Sequence, residues 1–266
     1  MSVAKIARKD LADTGRSRSL WLVIAAVLVL TGGLVTLAAF VTDLGSREVI
    51  TQSIGVSASL FPIVALFAAK GAITAERDSG SLRTLLALPP SRGEVLFGKY
   101  LGRLAVVVIA VVIGVGSCVG GLLVAGKPTS ATVVAAYAAM LLGTVVSYTS
   151  VGVGISGSAA TDGRATGVAV GVFTVALLWG ALVGLLRSLL VEAGVVGGDA
   201  SPQWLELLGI AEPGRAAQAL FRALVSGNPF PGDPIQSAWL PALVLLVWTV
   251  VPVAVGYRQF RRADLG

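Results

Sequence analysis

LAVVVIAVVIGVGSCVGGLLVAG, residues 104–126, decides the class of fold. Arg103 precedes the stretch, Lys127 follows it, and its 23 residues carry no charge. As an α-helix it rises about 35 Å, enough to cross a hydrocarbon core about 30 Å thick. Five more charge-free windows lie at 19–42, 49–69, 128–161, 165–186 and 234–257, none shorter than 21 residues. All 34 charged side chains fall outside these windows. A soluble domain averages about 25% charged residues. This chain has 13%, with 55% hydrophobic residues and a mean hydropathy of +0.87. That excludes an ordinary soluble enzyme, a disordered regulator and a collagen-like fibre. Barrel strands are excluded too, because they need alternating segments of about ten residues.

The expected fold is all-α: a polytopic membrane protein of six transmembrane helices forming one domain over 1–266. Spans are expected at about 19–42, 49–69, 95–126, 129–160, 165–187 and 236–257. Six crossings put both termini on one side. With the termini inside, fifteen Lys and Arg face the cytoplasm and five face outward, a clear positive-inside signal. The acids divide seven and seven, so the net charge of +6 splits into +8 inside and −2 outside. The basic charge therefore reads as topology, with anionic membrane lipid as its partner rather than nucleic acid. The first window is too long for a cleaved signal peptide and is expected to stay as an anchor.

Between the spans, residues 1–18 form a cytoplasmic segment in which Val3, Ile6, Ala7 and Leu11 recur at helical spacing, as in an interfacial helix. Lys99 and Arg103 are expected to snorkel to the interface. Residues 188–235 form the large extracytoplasmic region, where Trp204–Leu208 and Arg215–Val225 suggest helices resting on the membrane or covering the bundle. Residues 70–94 form a cytoplasmic segment. There Leu82, Leu85 and Leu86 fall at i, i+3 and i+4 on one helical face, Pro89-Pro90 stops that helix, and Ser91-Arg92-Gly93-Glu94 opens the next with a capping box.

Chemistry is mostly excluded. The chain has no histidine and a single cysteine, Cys118, so zinc sites built on histidine, Ser-His-Asp triads and an internal disulfide are impossible. Gly121-x4-Gly126-Lys127 and Gly93-x4-Gly98-Lys99 begin like phosphate loops, but Pro128 and Tyr100 stand where Ser or Thr should follow. Gly152-x-Gly154-x-x-Gly157 matches a dinucleotide fingerprint by letters, yet it lies in a charge-free span. It reads as glycine for close helix packing. The pairs Gly116/Gly120, Gly167/Gly171 and Gly180/Gly184 have the four-residue spacing that lets helices approach, within one chain or between two. Asp162-Gly163-Arg164 lacks the further aspartates of a lipid phosphotransferase. The charge-free windows put no Asp, Glu, Lys or Arg at mid-membrane, so ion coupling has no carrier there. Energy for uphill transport then comes from a separate subunit.

The run Ala75-Glu76-Arg77-Asp78-Ser79-Gly80-Ser81-Leu82, then Leu85-Leu86, then Pro89 to Arg92, then Gly98-Lys99, resembles the permease subunits of type-2 ABC exporters. The family pattern has glutamate at Asp78 and threonine at Ser81. The basic N-terminal segment, the six spans and the closing Phe260–Leu265 extend the resemblance over the chain. Its nearest likeness is to the branch of nitrous-oxide-reductase maturation permeases and multidrug exporters. The resemblance implies a coupling helix near 79–88 seated on a cytoplasmic ATPase. Glu76, Arg77, Gly80, Leu82, Leu85, Leu86, Pro89, Ser91 and Arg92 are then the ATPase-coupling residues. It implies no catalysis and no directly bound cofactor or metal in this chain, ATP used by the partner, two permeases with two ATPases, and a prokaryotic cytoplasmic membrane. The alternatives are a membrane scaffold for a cofactor-maturation system and an ATP-independent carrier.

Overall fold

The computed structural model describes residues 3–15, 18–79, 91–197 and 201–263. Among them there is no strand. Helix α1 is Val3–Gly15, and α2 joins Arg18–Leu28 to Leu34–Val41 through a π-helical turn at Val29–Gly33. Then follow α3 (Ser46–Ala69), α4 (Thr74–Asp78), α5 (Arg92–Val124), α6 (Ala131–Ser158), α7 (Asp162–Glu192), α8 (Gln203–Ile210), α9 (Pro213–Val225) and α10 (Trp239–Arg262). Six helices are long and apolar enough to cross a membrane, as the charge gaps predict. Val3 and Ala263 both lie near the start of α5, which defines the terminal face of the bundle; the opposite end is the loop face.

Helix starts follow local chemistry. The capping box at α5 forms as expected: Glu94 N donates to Ser91 Oγ at 3.2 Å, and Ser91 N donates to Glu94 Oε2 at 2.8 Å. Ser130 caps α6 and Thr161 caps α7 through their hydroxyls.

Helix α6 is the hub, with α3, α5, α9 and α10 packed around it. Its fingerprint-like glycines are where neighbouring backbones press in. A Cβ on Gly152 would stand 2.8 Å from the Leu66 carbonyl oxygen, one on Gly157 would stand 2.9 Å from that of Gly256, and one on Gly154 would overlap that of Pro252. The packing reading of this motif is therefore correct, and it explains why no larger residue fits. Tyr137, Met140, Leu141 and Tyr148 fill the space between helices. By contrast α7 lies at the edge, with only Ala165 and Ala169 buried.

Two elements depart from expectation. Helix α1 packs on the start of α5 rather than only on lipid: Ile6 sits over Gly98 and Asp10 over Gly102, both side chains buried. The second departure is the α8–α9 pair, which enters the bundle instead of resting on it. Tyr148 donates a hydrogen bond to Glu212, the cap of α9, and Tyr148 lies about 25 Å along α6 from its loop-face start. Trp248 of α10 donates to the Ala211 carbonyl at 2.8 Å, and Trp179 of α7 to that of Leu208 at 2.9 Å. At the other end, Arg47 of α3 donates to the Val225 carbonyl at 2.9 Å. So α9 climbs from mid-bundle to the loop face. Its buried side carries Gly214, Ala216, Ala217 and Ala223, small enough to lie close to α6. Glu212 brings a carboxylate to the level of the spans, where the sequence by itself offers none. Its oxygens are occupied by Tyr148 Oη and by the Gly214 and Arg215 amides, both at 2.7 Å. That is the work of a helix cap.

Candidate functional site

The coupling residues of the sequence fall on the terminal face. Glu76 and Arg77 lie on α4, and Ser91 and Arg92 open α5. Gly80, Leu82, Leu85, Leu86 and Pro89 lie outside the described residues. The structure shows how the two flanks of that segment are held.

The first flank is α4. The turn before it, residues 70–73, would leave amides unpaired, but Ser156 Oγ of α6 accepts from Ile73 N at 2.8 Å and from Thr74 N at 3.1 Å. Lys70 Nζ pairs with Asp162 Oδ2 at 2.7 Å and donates to Thr166 Oγ1 at 2.6 Å. Thr74 Oγ1 donates to the other Asp162 oxygen at 2.9 Å. Asp78 in turn accepts from Asp162 N at 2.9 Å, so it helps to cap α7. Arg77 Nη1 donates to the Ala159 carbonyl at 2.8 Å. The Arg77 Nε and Nη2 donors are buried without a hydrogen-bond partner among the described residues.

Behind α4 is a charge cluster. Lys99 Nζ donates to Glu76 Oε1 at 2.7 Å and lies 3.6 Å from Asp10 Oδ1. Arg103 Nε stands 3.1 Å from Asp10 Oδ2, and its Nη1 donates to the Ala68 carbonyl at 3.2 Å. The cluster holds two cations and two anions. The Lys99 side chain is 5% exposed, so it pairs inward and does not snorkel. The acid that draws it in stands on α1, far away in sequence. Such a buried network costs desolvation that its attraction only roughly offsets, so its main effect is to fix geometry. Here it locks α1, α4 and α5 in one arrangement.

The second flank is Arg92. Its Nη1 donates to the carbonyls of Phe260, Arg261 and Ala263 at 2.9, 3.1 and 2.7 Å, and the guanidinium lies 5.9 Å from the Phe260 ring centroid. It caps the end of α10 where carbonyls lack helical partners. Arg92→Ala is expected to lower stability by about 1–2 kcal/mol. Thermal unfolding in detergent reads the loss, and Arg92→Lys restores only part of it because one ammonium cannot reproduce the fork.

The proposed packing glycines divide. Gly116, Gly120, Gly167, Gly171 and Gly184 have nothing within 4 Å of where a Cβ would stand, so they pack against no described part of this chain. Gly180 faces the Arg215 guanidinium, which a Cβ there would overlap. The close approaches to neighbouring helices fall instead on other glycines, among them Gly32, Gly98, Gly102, Gly121, Gly152, Gly154 and Gly256. Sequence reasoning missed Asp10, Lys70 and Asp162. The usable signal was the Lys99/Arg103 pair at i and i+4, two cations on one helix face beside α1. No group of three or more potential metal ligands occurs among the described residues.

On α3 the outward face carries Thr51, Gln52, Gly55 and Ser59 beside the apolar Val56 and Leu60. It adjoins a cavity of about 180 Å³ reached by Glu212, Arg215 and Gln218 from α9.

The family model described as ABC-2 family transporter protein matches residues 4–265. The probable ABC transporter permease protein NosY of Pseudomonas aeruginosa is 30% identical over 276 residues, covering 98% of each chain. Its namesake from Stutzerimonas stutzeri is 31% identical over 279 residues, again with 98% of each chain covered.

Proposed function

The chain belongs to the ABC-2 family of transporter proteins and is a membrane permease subunit rather than an enzyme, and from this we propose that a separate cytoplasmic ATPase docks on residues 79–92 and drives it. The observation that carries the proposal is the anchoring of both flanks of that segment. Glu76 and Arg77 on one side and Arg92 on the other are tied to α5, α6 and α10. A force delivered to the two flanks therefore reaches three helices through hydrogen bonds. A helix seated in a groove of the partner suits the apolar triplet Leu82, Leu85 and Leu86.

The working assembly is two permeases with two ATPases in a prokaryotic cytoplasmic membrane, with the terminal face inside, as the positive-inside bias supports. The exposed α7, with Gly167 and Gly171 open to the outside of the chain, and the mixed outward face of α3 suit contact with a second copy across the substrate path. The export direction follows from the family resemblance.

The test is co-purification with a cytoplasmic ABC ATPase co-expressed with the chain. Leu85→Asp/Leu86→Asp should leave membrane insertion intact and release the ATPase, at least tenfold by yield. An ATPase that stays bound and stimulated would place docking elsewhere.

A further inference from the structure

The five cations of the loop face do not share one role. Arg47 donates to the Val225 carbonyl, Lys127 to the Thr42 carbonyl and Arg187 to Ser201 Oγ. These three tie chain segments together. The side chains of Arg215 and Arg222 make no hydrogen bond or ion pair with any described residue. They stand seven residues apart on α9, almost two whole turns, so both leave the helix on one side about 10 Å apart. That side faces a cleft of about 650 Å³ between the α8–α9 pair and residues 226–236.

The cleft is shaped to leave the guanidiniums room. Ala219 lies between them on α9, and Gly209 forms part of the opposite wall. Glu206 is the one acid on the lining. Gln236 reaches into the lining as well, but its amide is spent on Asp233 at 3.1 Å. Enclosure by the cleft walls and then the charge of Arg215 push the Arg222 guanidinium below the ordinary arginine range. Arg215 lies deeper. Its guanidinium rests across α7 at Gly180, one turn above the Glu212 cap, at the level of the spans. Glu212 reaches the same 180 Å³ cavity but its oxygens are taken up by Tyr148 and by backbone amides, so the exposed Arg215 guanidinium makes no ion pair there.

We propose that Arg215 and Arg222 form a binding site for a phosphate-type anion, entered from the loop face. Two arginines lining one cleft offer N–H donors from both, and planar forks match phosphate oxygens bidentately. A phosphodiester headgroup of the outer leaflet and a free phosphate present the same chemistry. The site is independent of ATPase docking, which lies at the other end of the bundle. Gly180 positions it, because any side chain there would displace the Arg215 guanidinium.

The full chain in phosphatidylcholine nanodiscs is titrated with inorganic phosphate by calorimetry, against chloride at equal ionic strength. In parallel, the phosphatidylglycerol retained by detergent-purified protein is counted by native mass spectrometry. Arg215→Gln/Arg222→Gln should weaken binding of at least one probe tenfold or more. Arg215→Lys/Arg222→Lys should keep binding within a few fold. Phosphate binding identifies a soluble anion as the ligand, and retained phosphatidylglycerol without phosphate binding identifies a headgroup. Equal binding of both probes by the wild type and the glutamine variant overturns the proposal. Should the glutamine variant fail to fold, the wild type decides: a midpoint of thermal unfolding unmoved by both phosphate and phosphatidylglycerol overturns it equally.

Discussion

Lys99→Met is expected to cost about 3–5 kcal/mol, the usual penalty for removing one partner from a buried ion cluster. Lys99 is 5% exposed and Asp10 7% exposed, so Asp10 and Glu76 would lose the cation between them with little water to replace it. Arg103 would still face Asp10, which concentrates the damage on Glu76 and on the α1–α4 joint. The expected readout is early tryptic cleavage of α1 at Lys5, Arg8 and Lys9, together with a lower midpoint of thermal unfolding in detergent. Lys99→Met/Glu76→Gln should recover much of the loss, because it removes the stranded carboxylate along with the ammonium. A single variant that keeps α1 protected would show that the cluster does not fasten that helix.

Gly154→Val is expected to prevent the bundle from closing. A Cβ there would overlap the Pro252 carbonyl oxygen and stand 2.8 Å from its carbon, and a Cβ on Gly256 would stand 2.7 Å from the Gly154 Cα. These neighbours are backbone, so no rotamer relieves the overlap. Ordinary overpacking costs about 1–3 kcal/mol, and with two main chains in contact the cost should exceed that range. The variant should insert but elute as aggregate on size exclusion. Gly167→Ala is the control. Nothing stands within 4 Å of its Cβ position, and replacing a helical glycine by alanine is favourable by roughly 0.5–1 kcal/mol. Folding of the single chain should be unharmed or improved.

The glycines also show what a sequence can and cannot reveal. Six spans are legible because charge is excluded from hydrocarbon over whole helices, a signal that sums over more than 20 residues. The Ser91–Glu94 capping box is legible because its two hydrogen bonds depend only on residues three apart. Which glycines touch is not legible, because spacing defines a face but not its partner. Gly152, Gly154 and Gly157 meet α3 and α10, while the equally well spaced Gly167 and Gly171 meet no described part of the chain. The same limit hides the Asp10–Lys99 contact, which depends on how α1 is laid on α5. The inward turn of α8 and α9 is hidden because their composition is that of surface helices. The runs Trp204–Leu208 and Arg215–Val225 announce the helices, but the depth of the second comes from the Tyr148–Glu212 contact. The coupling helix near 79–88, with Gly80, Leu82, Leu85, Leu86 and Pro89, lies outside the described residues.

The hub position of α6 sets an order on biosynthesis. Its glycine face is finished by α10, which leaves the ribosome only after α7, α8 and α9 have been made. Until then that strip of α6 faces lipid or the insertion machinery, and the polar tip at Glu212 has Tyr148 but not the Trp248 brace beside it. The nascent chain therefore passes through a long interval with its central seam open. Mutations on α10 should act as defects of completion, seen as proteolysis of new chains rather than as weakened mature protein.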